Sequence, residues 1–242
     1  MGTALMGSAV VQEFTTCERG KTIALLRLLQ LASPALPVGA YSYSQGLEWV
    51  VEQGLVKDAT DVLRWVGDAL RDSMAHCEAI YLVHMLRAWR MGEVALAIRH
   101  DEAFMASRDT SELRAETLQM GFSMRQLLGQ MGVSLPEEAA QRTQITFPGA
   151  WSYLAHHWGL SEREAVTGYL WSWLENQVMA AVKCVPLGQS EGQRLLFDLS
   201  GQLDRHLDAI LGSAIEDAVN SLPGYALASC LHETQYARLF RS

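Results

Sequence analysis

The chain is short of several features that decide a protein's class early. It has four cysteines, Cys17, Cys77, Cys184 and Cys230, and no C-x-x-C pair. A disulfide framework or a thiolate metal cage needs denser cysteines, so a reducing compartment is expected. Basic residues are the minority: 19 Lys and Arg stand against 27 Asp and Glu, a formal net charge of −8. A nonspecific phosphate-binding surface needs clustered cations, so nucleic acid is not the expected partner. Long uncharged apolar runs are missing too. The most apolar stretch, residues 165–185, contains Glu175, Asn176, Gln177 and Lys183. It reads as a buried core helix and not as a membrane span. Met1–Cys17 is only weakly apolar, has no basic residues ahead of it and contains Glu13, so no secretory signal is expected. No stretch alternates with period two, which removes the usual signal for strands.

What is present is helical periodicity. The chain is 49% hydrophobic and 19% charged over 242 residues, enough to bury a sizeable core. Residues 1–21 read as irregular. A helix over Thr22–Ala32 is stopped by Pro34 and Pro37, which cannot donate and push their predecessors out of helical geometry. Ser42 with Gln45 has the capping-box spacing, so a second helix is expected over Ser44–Gln53. Asp58 opens a third, with Val62, Val66, Leu70 and Met74 on one stripe. Ile80, Val83, Leu86 and Trp89 mark a fourth, ending near Gly92, and Glu93–Met105 a fifth.

Asp109 with Glu112 is the expected cap of a long helix striped by Leu113, Thr117, Met120, Met124, Leu127 and Met131. Gly121 within it suits a close approach. Pro136 suits the start of a short helix. Pro148–Gly149 opens Trp151–Trp158, and Ser161 with Glu164 caps the apolar helix that Pro186 stops. Ser190 with Gln193 repeats the capping spacing before a stripe of Leu195, Leu196, Leu199, Leu203, Leu207 and Leu211, with a break expected near Ser200–Gly201. A last helix spans Tyr225–Thr234, and 235–242 is a tail. No linker divides the chain. The expected fold is all-α, a single compact bundle of about ten helices over 22–234.

Few residues suggest chemistry. Gly20-Lys21-Thr22 resembles the end of a phosphate loop, but Thr15 stands where that loop needs glycine. His76, Cys77 and His84 fall near one helical face and could ligate nickel or zinc, although two turns is a long spacing for a chelate. His156 and His157 point about 100° apart on a helix. His232 beside Glu233 is only half a site. Asp204 and Asp208 could hold Mg²⁺, but a solvated face is the plainer reading. No nucleophile, base and orienter occur together, so an enzyme is not expected. Lys183 sits at a helix end, where it either complements the helix dipole or waits for a partner. The tail Gln235–Ser242 alternates apolar groups with Arg238 and Arg241. It is either a frayed end or an interface anchor.

Four segments carry a resemblance. They are Leu29–Glu48, with its Ser-Pro-Ala-Leu-Pro-Val-Gly-Ala-Tyr-Ser-Tyr-Ser core, then Glu116–Ser123, Met179–Gln193, and His232–Ser242, which ends Ala-Arg-Leu-Phe-Arg-Ser. In wording and order they resemble the UreF family of urease accessory proteins. The resemblance implies an all-helical, dimerising cytoplasmic chaperone for nickel insertion. Such a protein joins UreD (UreH in some species) and recruits the GTPase UreG to the urease apoprotein. It implies that this chain binds no cofactor tightly, and that the assembled complex handles nickel and GTP. It implies partner contacts at Arg238 and Tyr43, a role for Lys183 in GTPase-coupled activation, and a tail, with Tyr236, Phe240 and Arg241, that orders when UreD binds. An alternative from a different class is a direct regulator of UreG that uses a tail arginine on GTP hydrolysis.

Overall fold

The computed structural model describes residues 20–242, and among them there are only helices, turns and loops. Cys17 and Thr15 lie outside the described residues. Of the segment expected to be irregular, residues 20 and 21 are already helical.

Helix α1 covers 20–31. After the prolines come a 3₁₀ turn, Ala40–Ser42, and a short α2, Leu47–Glu52. The expected second helix is therefore three residues shorter at its start. Ser42 and Gln45 form no capping box, because Gln45 has φ 54° and Gly46 φ 83° and the chain turns sharply there. Gly46 has no alternative. A Cβ on it would stand 2.9 Å from the Ser229 nitrogen, as well as needing a left-handed backbone.

α3, Ala59–Ala69, is capped by Asp58, which accepts from Asp61 N. It runs on through a π segment, Leu70–Glu78, into α4, Ala79–Met91. Val62, Val66, Leu70 and Met74 are buried as the stripe requires. α4 is the central helix. Leu82, Val83, Met85, Leu86 and Ala88 are all fully buried, and α4 packs against neighbours on several sides. α5 is Val94–Ala106 and α6 is Ser111–Gln130. Thr110, not Asp109, caps α6 through Leu113 N. Asp109 accepts from Asn220 instead. Gly121 does permit close approach, since a Cβ there would fall 2.1 Å from the Ile145 carbonyl oxygen.

The short α7, Glu137–Ala140, precedes α8, Phe147–His157. α9, Glu162–Cys184, begins with the expected Ser161–Glu164 capping box. α10, Gln189–Gly212, is unbroken, and its first turn is closed by Glu191 accepting from Gly188 N rather than by Ser190 and Gln193. Continuous burial of Leu195, Leu196, Leu199, Leu203 and Leu207 against the rest of the bundle carries the helix across Ser200–Gly201. α11, Pro223–His232, starts two residues before the expected Tyr225, with the proline in its first turn, and ends two residues before Thr234. Two core tryptophans satisfy their indole nitrogens: Trp151 donates to the Ala165 carbonyl at 3.1 Å and Trp89 to Ser152 Oγ at 3.0 Å.

The candidate partner-binding surface

The expected histidine–cysteine cluster does not assemble. His76 lies in the π segment and His84 in α4, and each ring faces a different helix. His76 faces His206 at 6.4 Å between ring centres, and His84 faces His100 at 5.8 Å. His84 Nε2 lies 3.0 Å from the Ser213 carbonyl oxygen. Cys77 is buried 3.7 Å from Ser107 Oγ, and burial pushes its thiol up, the reverse of a reactive thiolate. Among the described residues no three His, Cys, Asp or Glu side chains are arranged to hold a metal. Asp208 pairs with Arg163 across α9 and α10.

The sequence-distant corner and tail, by contrast, come together. The tail turns back after α11 and lies along the corner between α1 and α2. Arg241 N donates to the Ser42 carbonyl at 2.7 Å. Ser44 N, Ser44 Oγ and Gln45 N converge on the Ser242 main-chain oxygen at 2.5, 2.7 and 2.9 Å. Successive N–H groups around the positive φ of Gln45 and Gly46 form a concave donor nest of the kind that holds oxygen anions. In return, Glu48 accepts from Leu239 N at 2.6 Å and Phe240 N at 3.0 Å. Phe240 is 6% exposed and Ser242 1%. The tail was expected to contribute little to any core. Here it is a clasp, because its backbone donors meet buried carboxylates and its one large ring is covered.

Beneath the clasp lies a polar layer. Gln45 Oε1 accepts from Trp173 Nε1 at 2.7 Å, from Gln177 at 3.4 Å and from the Tyr225 hydroxyl. Its Nε2 donates to Glu116 at 2.6 Å. His232, fully buried, sits between Glu112 at 2.9 Å and Glu48 at 3.3 Å. Burial raises the Glu112 pKa, opposed by His232 and Arg238. Deeper still, Arg108 pairs with Glu78 at 2.9 Å, and Tyr169 donates to the same carboxylate. A cavity of about 220 Å³ opens beside this layer, lined by Gln45, Glu78, Arg108, Glu116 and, at one side, Lys183.

Five of the six sequence-chosen partner residues meet in this clasp. Tyr43 is 5% exposed; burial raises its phenol, Glu116 adds to that, and Arg241 beside it opposes. Lys183 is exposed, with Nζ 5.4 Å above the Phe240 ring, a cation–π distance. Arg238 donates to Glu112 at 2.9 Å and keeps 39% of its side chain exposed. Arg241 is exposed, and Tyr236, the sixth, stands wholly in solvent. Leu239, Leu227 and Leu231 are exposed apolar residues on the tail and α11. The result is a face on an acidic protein that exposes Lys183, Arg238, Arg241 and Tyr236 above two buried aromatics, Tyr43 and Phe240.

Comparison with known proteins decides the family. The sequence model of UreF matches residues 56–200. The urease accessory protein UreF of Azoarcus sp. (strain BH72) is 51% identical over 233 residues, which cover 94% of this chain and 100% of that protein. The UreF of Dechloromonas aromatica (strain RCB) is 46% identical over 222 residues, 90% and 97% of the two chains. That of Nitrosococcus oceani is 45% identical over 222 residues, 89% and 97%. The chain belongs to the UreF family of urease accessory proteins.

Its UreF relatives are named as accessory proteins and not as enzymes, and this chain is classed with them. No helix among the described residues is long and apolar enough to cross a membrane. What sequence reasoning missed in this UreF-family chain is the layer that holds the clasp: Gln45, Glu48, Glu112, Glu116 and His232. One signal was available. Glu116 falls between Leu113 and Met120 on the buried stripe of α6, where an unpaired carboxylate is costly and therefore needs a reason.

Proposed function

We propose that this chain is a nickel-insertion chaperone of urease maturation. In this reading it works in the cytoplasm as a homodimer, joins UreD or UreH, and recruits the GTPase UreG to the urease apoprotein. Nickel and GTP are the cargo and fuel of the assembled complex, and this chain is its scaffold. The observation that carries the reading is the clasp. It turns a terminal segment into a fixed surface with Arg238, Arg241, Tyr236 and Lys183 facing outward. Arginine and tyrosine are the residue types that most often anchor interfaces, and a preformed surface avoids the entropy of ordering on binding.

The test is co-purification with UreD and UreG, separately and together. Arg238→Ala is expected to keep UreD and to lose UreG, by about tenfold or more in capture. Normal UreG capture by this variant would remove Arg238 from the interface. The rival reading, direct action on GTP hydrolysis, has its own signature. An arginine finger speeds turnover by roughly 10³–10⁵. A scaffold leaves the UreG rate near its starting value.

A further inference from the structure

Glu116 touches both halves of the clasp. Its Oε1 accepts from Gln45 of the corner at 2.6 Å, and its Oε2 lies 2.9 Å from Ser242 Oγ of the tail, a hydroxyl that donates to an ionised carboxylate and accepts from a protonated one. It is 7% exposed. A carboxyl group in such a place is stable only beside a cation or with a proton. Among the described residues no cation is hydrogen-bonded to it. Arg108, the nearby guanidinium, gives Nη1 to Glu78 instead. The other titratable groups facing Glu116 carry no positive charge: Glu78 from the π segment, Tyr169 from α9, Tyr225 from α11 and Tyr43 from the corner. Burial, reinforced by Glu78, pushes Glu116 up to about 7, and the bonds from Gln45 and Ser242 pull the other way.

We propose that Glu116 is a proton-operated latch: the tail docks on the corner with Glu116 protonated, and loosens as that proton leaves. The sign follows from linkage. When the tail lifts, water replaces Ser242 against the carboxyl, and its pKa falls toward the ordinary glutamate value of about 4.3. Between the open and docked values the docked form holds more protons, so rising pH favours opening. Docking is strongest in acid, weakens up to about pH 7 and then levels off. Each pKa unit gained on docking is worth about tenfold in the equilibrium. The device belongs to this chain alone and stands whether or not the face recruits UreG.

Glu48, Glu112 and His232 also lie under the tail, with Arg238 on Glu112, so the test separates them from Glu116. Amide hydrogen exchange of Leu239, Phe240 and Arg241 in the full chain, corrected for intrinsic rates, reads the docking from pH 5 to 8. Protection is expected to fall by roughly fortyfold between pH 5 and neutrality and then flatten. Glu116→Gln keeps the shape and removes the titration, so its corrected profile is expected to be flat. Should that variant not fold, His232→Gln serves, and there the pH dependence is expected to persist. Direct carboxyl NMR of Glu116 is expected to give a midpoint near 7. An equal slope in Glu116→Gln, a slope abolished by His232→Gln, or a Glu116 midpoint near the ordinary value would each overturn the latch.

Discussion

α9 and α10 pack against each other, and Leu170, Leu174 and Val178 on one helix and Leu196, Leu199 and Leu203 on the other are all buried. Between corner and tail the holding is done by backbone donors, three carboxylates and one aromatic ring. The first interface is roughly proportional to area and indifferent to pH. The second depends on individual donors and acceptors, each of which leaves a stranded partner when removed. A packed helix pair therefore fails only with the domain. A clasp can open alone.

That contrast can be tested in three places. The largest effect is expected where polar burial is complete. Arg108→Ala leaves Glu78 buried without its cation, at a cost of about 3–5 kcal/mol. A denaturant melt measures this, and adding Glu78→Gln should recover part of it. Recovery of none would mean that Arg108 acts through packing on Phe104, whose ring lies 4.6 Å beneath its guanidinium carbon. Next comes Leu199→Ala in the α9–α10 interface, expected to cost about 2–4 kcal/mol with no change between pH 5 and 8. A strong pH dependence there would blur the line between the two regions.

The smallest global effect is expected from Phe240→Ala. Its ring is as buried as many core residues, but its segment can lift away, so the loss is capped by the free energy of docking. Proteolysis of the tail should quicken at least tenfold, while the melting midpoint falls by less than half the Leu199→Ala shift. If the two midpoints fall equally, the tail is part of the global core and the comparison fails.

The helices were legible where one residue decided one local event. Asp58 and Ser161 each close a first turn with their own oxygen as expected, whereas the expected Asp109 gives way to Thr110. The buried stripes of α3, α6 and α10 follow from a period of 3.6 residues. The candidate partner residues were chosen as words of a family signature and not through physics. Gln45 was misread for a physical reason. Its side chain matches a capping-box pattern, yet the pull of Trp173, Tyr225 and Glu116 outweighs one helical turn and holds its backbone at φ 54°.

By itself the sequence determined an all-helical chain, its main breaks and its family, because caps, prolines, periodicity and signature words are local. Only the tertiary structure decided that α3 and α4 are one rod joined by a π segment, and that His76 faces His206 while His84 faces His100. Only it brought residues 42–48 against 238–242 and made a tail into a clasp. The reason is distance along the chain. Hydrogen bonds across nearly two hundred residues leave no periodic trace in sequence, and the carboxylates that make them look, one at a time, like ordinary surface charge.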